Sequence, residues 1–490
     1  CPVVATVKKI GIAAPYYHLK VQSKAERFYE ATSYKKFWLE KKHPSKRYKA
    51  FVNEVMEAYR YGINPDDYDI RAIEKEVDEL YQNKDRTDED LSKLDIRITA
   101  SFFLFTTHLL EGRIRNPGAK DFIWKKGLPE EDDVLMLLSM KSAPDLRHEI
   151  DNLHPKDPQY EKLRHALKVY KDMSEADDFP SIKLKKEIRP GGKDQAIVLI
   201  RKKLQLTDFE GDPMPLDSMT YDEALVRAVK QFQKRHGLEA SGLIDAETVR
   251  YLNIPLTEKS ELIALNLERL RWYPRPDYRT EQVIVNVPEY MLRVYRNNEK
   301  KLDMRVILGS DFNATPIFCD TLKYIVFSPT WNVPKSILEE EFIPRLRENP
   351  AYYGSEFRFY RDGVEIDPAE ENWSDEKLDV RSYQAIQNPG DLNSLGNVKF
   401  VMPNNFNIYL HDTPADNLFK GRDRALSHGC VRLEQPVEFA SYLLADSEHW
   451  DKRKMMEAMQ RREPVTAPLK RPVPVYITYR TVWVDDEGLV

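Results

Sequence analysis

The hydrophobic period of this chain changes once along its length, and that change limits what it can fold into. Up to about residue 255, apolar residues recur every three or four positions, which is helical spacing. LDIRITASFFLFTTHLLEGRI reads as one long buried helix, and RFYEATSYKKFWLE places Phe28, Tyr34, Phe37 and Trp38 at helical intervals. From about Glu281 the period falls to two. Val283, Val285 and Val287 alternate, then Val306 and Leu308, then Ile325 and Phe327, with turns such as RNNEKK between them. A chain of 490 residues has room for about three domains.

The boundaries follow from punctuation. Pro190, Gly191 and Gly192 break the helical region, so residues 24–189 are expected to form a helical scaffold. Three short helices are expected in 190–255: DQAIVLIRKKLQL, YDEALVRAVKQFQKRHGL and SGLIDAETVRYLN, the last capped by Asp245. The alternating region, 256–480, is expected to be a mainly antiparallel β domain. Residues 335–395 interrupt it with the helical run SILEEEFIPRLRENP and a polar, aromatic-rich stretch that includes Tyr352, Tyr353, Trp373 and Tyr383. An insertion of that length is more often functional than a mere connection.

Composition removes several function classes. Lysine and arginine total 75 against 80 acidic residues, a net charge of −5, which leaves no electrostatic footprint for nucleic acid. No run of 18 uncharged apolar residues occurs, so no transmembrane segment is expected. The cysteines are Cys1, Cys319 and Cys430, too few for a disulfide scaffold or a multi-cysteine metal centre. Cys319, in the apolar run PIFCDTLKYIV, reads as a packed thiol.

The chemistry is concentrated in IYLHDTPADNLFKGRDRALSHGCVRLEQP. In FNIYLH, Ile408 and Leu410 point to one face while Asn407, Tyr409 and His411 point to the other. Fifteen residues separate His411 from the run Ser427-His428-Gly429-Cys430, and a loop of that size can bring His411 beside Cys430. A free thiol is only a few per cent ionised at neutral pH, so an imidazole that takes its proton makes it a useful nucleophile. Gly429 allows a tight turn that can aim neighbouring N–H groups at a developing oxyanion.

These residues resemble the catalytic domain of the L,D-transpeptidases (YkuD type), whose signature is a histidine, a loop, then Ser/Thr-His-Gly-Cys. QNPGDLNSLGNVKFVMPN and the SPTWNVPKSI segment around Trp331 are similar to that family too. The run KQFQKRHGLEASGLIDAETVRYLN, Lys230 to Asn253, resembles peptidoglycan-binding domain 1. The order of parts resembles the large periplasmic members: helical scaffold, small three-helix peptidoglycan-binding module, then a mainly antiparallel β catalytic domain with a helical capping insertion. The fold class expected is therefore multidomain α+β. One departure is Arg432, where many shorter relatives carry asparagine.

The resemblance implies Cys430 as nucleophile, His411 as general base, and Asp412 orienting that base, in the family usually through a backbone carbonyl. It implies His428, Gly429 and Cys430 as oxyanion donors, with Ser427, Arg432, Tyr409 and Trp331 supporting or contacting substrate. No cofactor and no metal are implied. The implied partners are peptidoglycan stem peptides, a tetrapeptide donor and a diaminopimelate-type acceptor, joined in 3→3 cross-links with release of D-Ala; carbapenems would acylate Cys430. The implied place is the periplasm or cell envelope of a bacterium, and a leading Cys1 fits the lipid-anchored end of a lipoprotein as well as a chain boundary falling there. Four other readings remain open: L,D-carboxypeptidase action, attachment of a protein to the wall, a zinc hydrolase using His411, Asp412, His428 and Cys430, and a non-catalytic wall-binding protein.

Overall fold

The computed structural model describes residues 15–114, 132–139, 146–175, 179–208, 218–272, 278–375, 378–485 and 488–490; Cys1, read as either a lipid-anchored end or a chain boundary, lies outside them. The described residues form two compact units. The first runs from 15 to 272 and takes in the chain end from 481; the second runs from 278 to 480.

The first unit is helical. Its central helix, Asp88–Glu111, starts with a capping box in which Thr87 and Asp90 bond each other's backbone N–H groups. From there it is buried nearly all round, with Phe102, Phe103, Phe105 and Leu109 inside a large core. The expected helix through Trp38 stops early. It spans Pro15–Ala31, because Ser33 and Tyr34 both turn left-handed, at φ 53° and 56°. Phe37 and Trp38 instead sit on a loop held by one carboxylate. Asp95 accepts the N–H groups of Phe37 (3.0 Å), Trp38 (2.7 Å) and Leu39 (2.9 Å), and the Tyr29 hydroxyl (2.6 Å). Side-chain periodicity cannot reveal a buried acid that collects three consecutive amides.

The small module has its own core of Ile197, Ile200, Leu204, Leu225, Val229, Phe232, Val249 and Leu252. Its helices are Ala196–Thr207, Glu223–Arg235 and Ala246–Leu252, with Asp245 capping the last through the Thr248 N–H at 2.8 Å. The β domain was expected to begin at 256, but Leu256–Trp272 is a helix of the first unit. Its Arg271 bonds the Tyr160 hydroxyl at 2.8 Å and Glu268 at 3.1 Å, and Glu268 accepts the Ile114 N–H at 2.8 Å.

The second unit is built on a ring of strands. They are β1 (Gln282–Asn286), β2 (Met291–Arg296), β3 (Glu299–Gly309), β4 (Phe318–Phe327), β9 (Val398–Val401), β10 (Leu410–His411), β11 (Ala425–Ser427), β12 (Val431–Leu433) and β13 (Val465–Thr478). Between them lie β5 (Trp331–Asn332), β6 (Phe357–Arg361), β7 (Val364–Ile366) and β8 (Tyr383–Gln387) of the insertion. The main order is β11-β3-β12-β10-β9-β4-β13-β1-β2, and a β2–β3 pairing closes it. Most pairs are antiparallel, while β1–β13, β10–β12 and β11–β3 are parallel. Asn297 and Asn298, both at positive φ, make the tight β2–β3 turn within the expected RNNEKK segment. Alternate residues fill one core: Val283, Val306, Leu308, Ile325, Phe327, Phe400, Leu410 and Val431, with Phe439 from the helix Pro436–Leu443. Cys319 packs with a small cluster around Tyr476 and Ile284.

The insertion carries the expected helical run, a continuous helix from Lys335 to Glu348 with a π turn at Leu338–Phe342. Its aromatic stretch is a four-stranded antiparallel sheet, β5-β8-β6-β7. Trp373, Tyr383, Phe359, Phe342 and Leu338 form its core, while Tyr352 stands exposed. The strands are short, so their alternation is lost among turns.

Replacing Asp95 by alanine should destabilise the helical unit by about 3 kcal/mol, since three buried amides lose their acceptor at once. Urea denaturation followed by far-ultraviolet circular dichroism checks this; an unchanged helical transition would show the loop to be held by packing alone.

Candidate active site

Strand β10 lies between β9 and β12, and its register assembles the site. Leu410 faces Phe400 and Val431, and His411 faces Lys399 and Arg432. Because side chains alternate, Phe400, Leu410 and Val431 enter the core while Lys399, His411 and Arg432 share the opposite face. One step back on that face stand Tyr409 and Cys430, with the Val431 N–H donating to the Tyr409 carbonyl at 3.1 Å.

In the backbone register Cys430 stands one pair away from His411. Tyr409 is the neighbour of the thiol, and His411 is the neighbour of Arg432. Two residues of strand, ~6.6 Å, separate the two rows. The thiol donates to the Asn407 carbonyl at 3.8 Å, and the Tyr409 N–H and hydroxyl both bond the sulfur. Burial pushes the Cys430 thiol above its ordinary value, outweighing the Tyr409 bonds and the positive charges of Lys399 and Arg432.

His411 is enclosed. Its Nδ1–H donates to the Asp412 carbonyl at 2.5 Å, which leaves Nε2 with the lone pair. Burial, then Arg432 and Lys399, hold its pKa down to about 3 against the stabilising bond to Asp412. Resting thiol and resting imidazole are therefore both neutral at neutral pH. Hydrogen bonds of this kind are commonly long before substrate binds and tighten around it.

Asp412 serves through its main chain. Its carboxylate accepts the N–H groups of Asn397 and Thr413, both at 2.7 Å, and points away from the imidazole. Gly396 makes room for it, since a Cβ there would lie 2.3 Å from Asp412 Cγ.

The loop carrying Cys430 ties up one of the expected donors. The Gly429 N–H donates to Ser427 Oγ at 3.1 Å, and that hydroxyl donates to the Cys430 carbonyl at 2.7 Å. Gly429 thus offers shape rather than an oxyanion donor: its φ of +112° suits glycine, and its carbonyl accepts the Thr315 hydroxyl at 2.8 Å. The N–H groups of His428 and Cys430 have no acceptor among the described residues. The His428 ring turns outward to Glu341 on the π turn, Nε2 to Oε1 3.1 Å. Trp331, at the root of the insertion, bonds the Tyr409 hydroxyl with its side chain.

The four side chains weighed as zinc ligands face three different ways. Among the described residues no group of three metal-ligating side chains is gathered. Residues that sequence reasoning missed are Lys399, Thr315 and Glu341. Lys399 had a legible signal, as the polar member of the alternation in VKFVMP. Thr315 had none, because its value depends on the tertiary approach of two loops.

Comparisons with known proteins fit this arrangement. Residues 280–475 match the model of the "L,D-transpeptidase catalytic domain", 193–252 that of the "Putative peptidoglycan binding domain", and 23–167 that of the "Scaffold domain". A curated relative from Haemophilus influenzae, named "Putative L,D-transpeptidase", is 35% identical over 243 residues, 48% of each chain. This chain thus spans about half the length of that relative. Among solved structures, an L,D-transpeptidase from Mycobacterium smegmatis is 12% identical, covering 40% of this chain and 58% of its own, with a TM-score of 0.20. An L,D-transpeptidase from Xylanimonas cellulosilytica is 12% identical, covering 60% and 98%, with a TM-score of 0.17. Residues 280–475 are thus similar to the L,D-transpeptidase catalytic domain, and 193–252 to a peptidoglycan-binding domain.

Alkylation of Cys430 by iodoacetamide should keep accelerating past pH ~8.5, with no inflection near ~6.5, because the thiol titrates high and the imidazole low. A rate plateau spanning pH ~5–8 would instead reveal a resting thiolate–imidazolium pair.

Proposed function

We propose that this chain is a cysteine-dependent L,D-transpeptidase that forms 3→3 cross-links between peptidoglycan stem peptides. The observation that carries the reading is a thiol and an imidazole on one sheet face, with the imidazole's Nδ1 fixed on a backbone carbonyl so that Nε2 is free to take a proton. The Cys430 sulfur attacks the carbonyl that joins the third residue of a donor tetrapeptide to its terminal D-Ala. The S–C bond forms and the C–N bond breaks. The thiol proton passes through His411 to the departing amine, and D-Ala leaves. The side-chain amine of a diaminopimelate-type acceptor then displaces the sulfur. Its proton returns through His411, and the thiol is restored.

The backbone N–H groups of His428 and Cys430 stabilise the oxyanion of both steps. Glu341 and Trp331 tie the insertion to the nucleophile loop and to Tyr409, and the insertion excludes the water that would otherwise take the acyl group. The site of action on this reading is the bacterial cell envelope, with the peptidoglycan-binding module holding the enzyme on its polymeric substrate. Among the described residues no helix is long and apolar enough to cross a membrane.

Incubation of the protein with disaccharide-tetrapeptide, followed by mass spectrometry, tests this. A dimer lighter than two monomers by the mass of one free D-Ala is the expected product. Tripeptide monomer alone would make the enzyme an L,D-carboxypeptidase. Cys430→Ala should abolish product while leaving sedimentation with sacculi intact. His411→Ala should lower the rate by roughly 10²- to 10⁴-fold; equal activity in that variant would remove the imidazole from the mechanism.

A further inference from the structure

Four consecutive peptide groups make up the turn from Ser427 to Val431, and each is tied to a partner. In the first, the Ser427 carbonyl accepts the Ser310 N–H at 2.9 Å. In the second, the Gly429 N–H donates to Ser427 Oγ at 3.1 Å. In the third, the Gly429 carbonyl accepts the Thr315 hydroxyl at 2.8 Å. In the fourth, the Cys430 carbonyl accepts the Ser427 hydroxyl at 2.7 Å, and the Val431 N–H donates to the Tyr409 carbonyl at 3.1 Å.

A trans peptide is planar, and its C=O and N–H point in opposite directions. A bond that fixes a carbonyl therefore also aims the N–H of the next residue. The first plane joins the Ser427 carbonyl to the His428 N–H, and the third joins the Gly429 carbonyl to the Cys430 N–H. These are the two planes whose N–H groups have no acceptor among the described residues. Both of their anchors come from one segment, Gly309 to Thr315, which links β3 to β4. There β11 runs parallel to β3, with Ser427 opposite Gly309.

That segment is closely made. Asp311–Asn313 is a single 3-10 turn, closed by the Asn313 N–H on the Ser310 carbonyl at 3.0 Å. Its two ends nearly touch, since a Cβ on Gly309 would meet the Thr315 nitrogen at 2.6 Å. The buried Thr315 hydroxyl accepts the Gly309 N–H at 2.9 Å, and its one proton goes to the Gly429 carbonyl. Neither bond involves the thiol or the imidazole.

We infer that Thr315 and the Ser310 N–H are positioning groups that aim the Cys430 and His428 amides at the oxyanion. The inference rests on the reading of the site as a cysteine acyltransferase. As the S–C bond forms, negative charge gathers on the oxygen of the attacked carbonyl. Donors already aimed at that oxygen need no reorganisation at the moment of reaction. Without the Thr315 hydroxyl the Gly429–Cys430 plane is free to turn, because glycine tolerates a wide range of backbone angles. The loop between β3 and β4 thus acts on the reaction without touching the reacting atoms.

The test uses the full chain carrying Thr315→Val, which loses the hydroxyl at nearly the same shape, or Thr315→Ser, which keeps it. Two reactions of Cys430 are timed. Release of D-Ala from disaccharide-tetrapeptide passes through an oxyanion, whereas alkylation by iodoacetamide does not. In Thr315→Val, kcat for release should fall roughly 10- to 100-fold at unchanged KM, short of the ~10²- to 10³-fold loss of a whole donor. Alkylation should stay within about twofold of wild type, and Thr315→Ser should restore release. Ser310→Pro removes the other anchor at a φ of −68°, which suits proline, and should show the same split. Should Thr315→Val fail to fold, Ser310→Pro decides on the same criteria. Wild-type release in the variants overturns the positioning role and leaves the acyltransferase reading intact. Equal loss of release and alkylation would show the loop merely supporting the turn, which also overturns it. A wild type that releases no D-Ala removes the reading and the inference together.

Discussion

Every feature of the site depends on the pairing of β10 with β12, in parallel, and with β9. Two residues of β10 take part, yet they determine which side chains share a face and in what order. Slipping either neighbour by one residue would turn Cys430 or Lys399 into the core and Val431 or Phe400 out of it. The apolar alternation that fills the ring is thus also what holds the reactive row on the outside. Core packing and site geometry are one constraint here, since Leu410, Val431 and Phe400 cannot be buried unless His411, Arg432 and Lys399 are turned to the opposite face.

Electrostatics on that face run against the simplest picture of a cysteine enzyme. A thiolate–imidazolium pair needs a histidine that holds a proton easily, and His411 is placed between two cations in a buried position. The sulfur is likewise buried, and its hydrogen bonds come from Tyr409 and go to Asn407. The site is uncharged at its thiol and imidazole and positively charged around them. Tyr409 connects these groups physically, with Lys399 over its ring and its hydroxyl between Cys430 and Trp331.

Much of the architecture could be read directly from the residues. The change of period separated the helical region from the β domain, and capping residues such as Asp245 located helix starts, because both signals are local. The thiol, the imidazole and the turn between them were equally legible, being carried by a compact motif. The helix end at Ala31 was not, since a left-handed turn at two ordinary residues leaves no mark on the hydrophobic pattern. Nor was the sheet of the insertion, whose strands are too short to show alternation. The place of Leu256–Trp272 in the first unit was hidden too, as it depends on contacts with Tyr160 and Ile114, distant in the chain.

The amino-acid order alone determined which residues could react and which faces they would occupy, because side-chain alternation in a strand is a property of the backbone. The tertiary structure decided who stands next to whom. It put Tyr409 beside Cys430, Lys399 and Arg432 around His411, Ser427 on the Gly429 amide, and Glu341 against His428. Those neighbours come from separate strands and loops, and strand register is chosen by the fit of the whole core. The charge around the Cys430 thiol, and hence its protonation, is accordingly set by the fold and not by the motif that contains it.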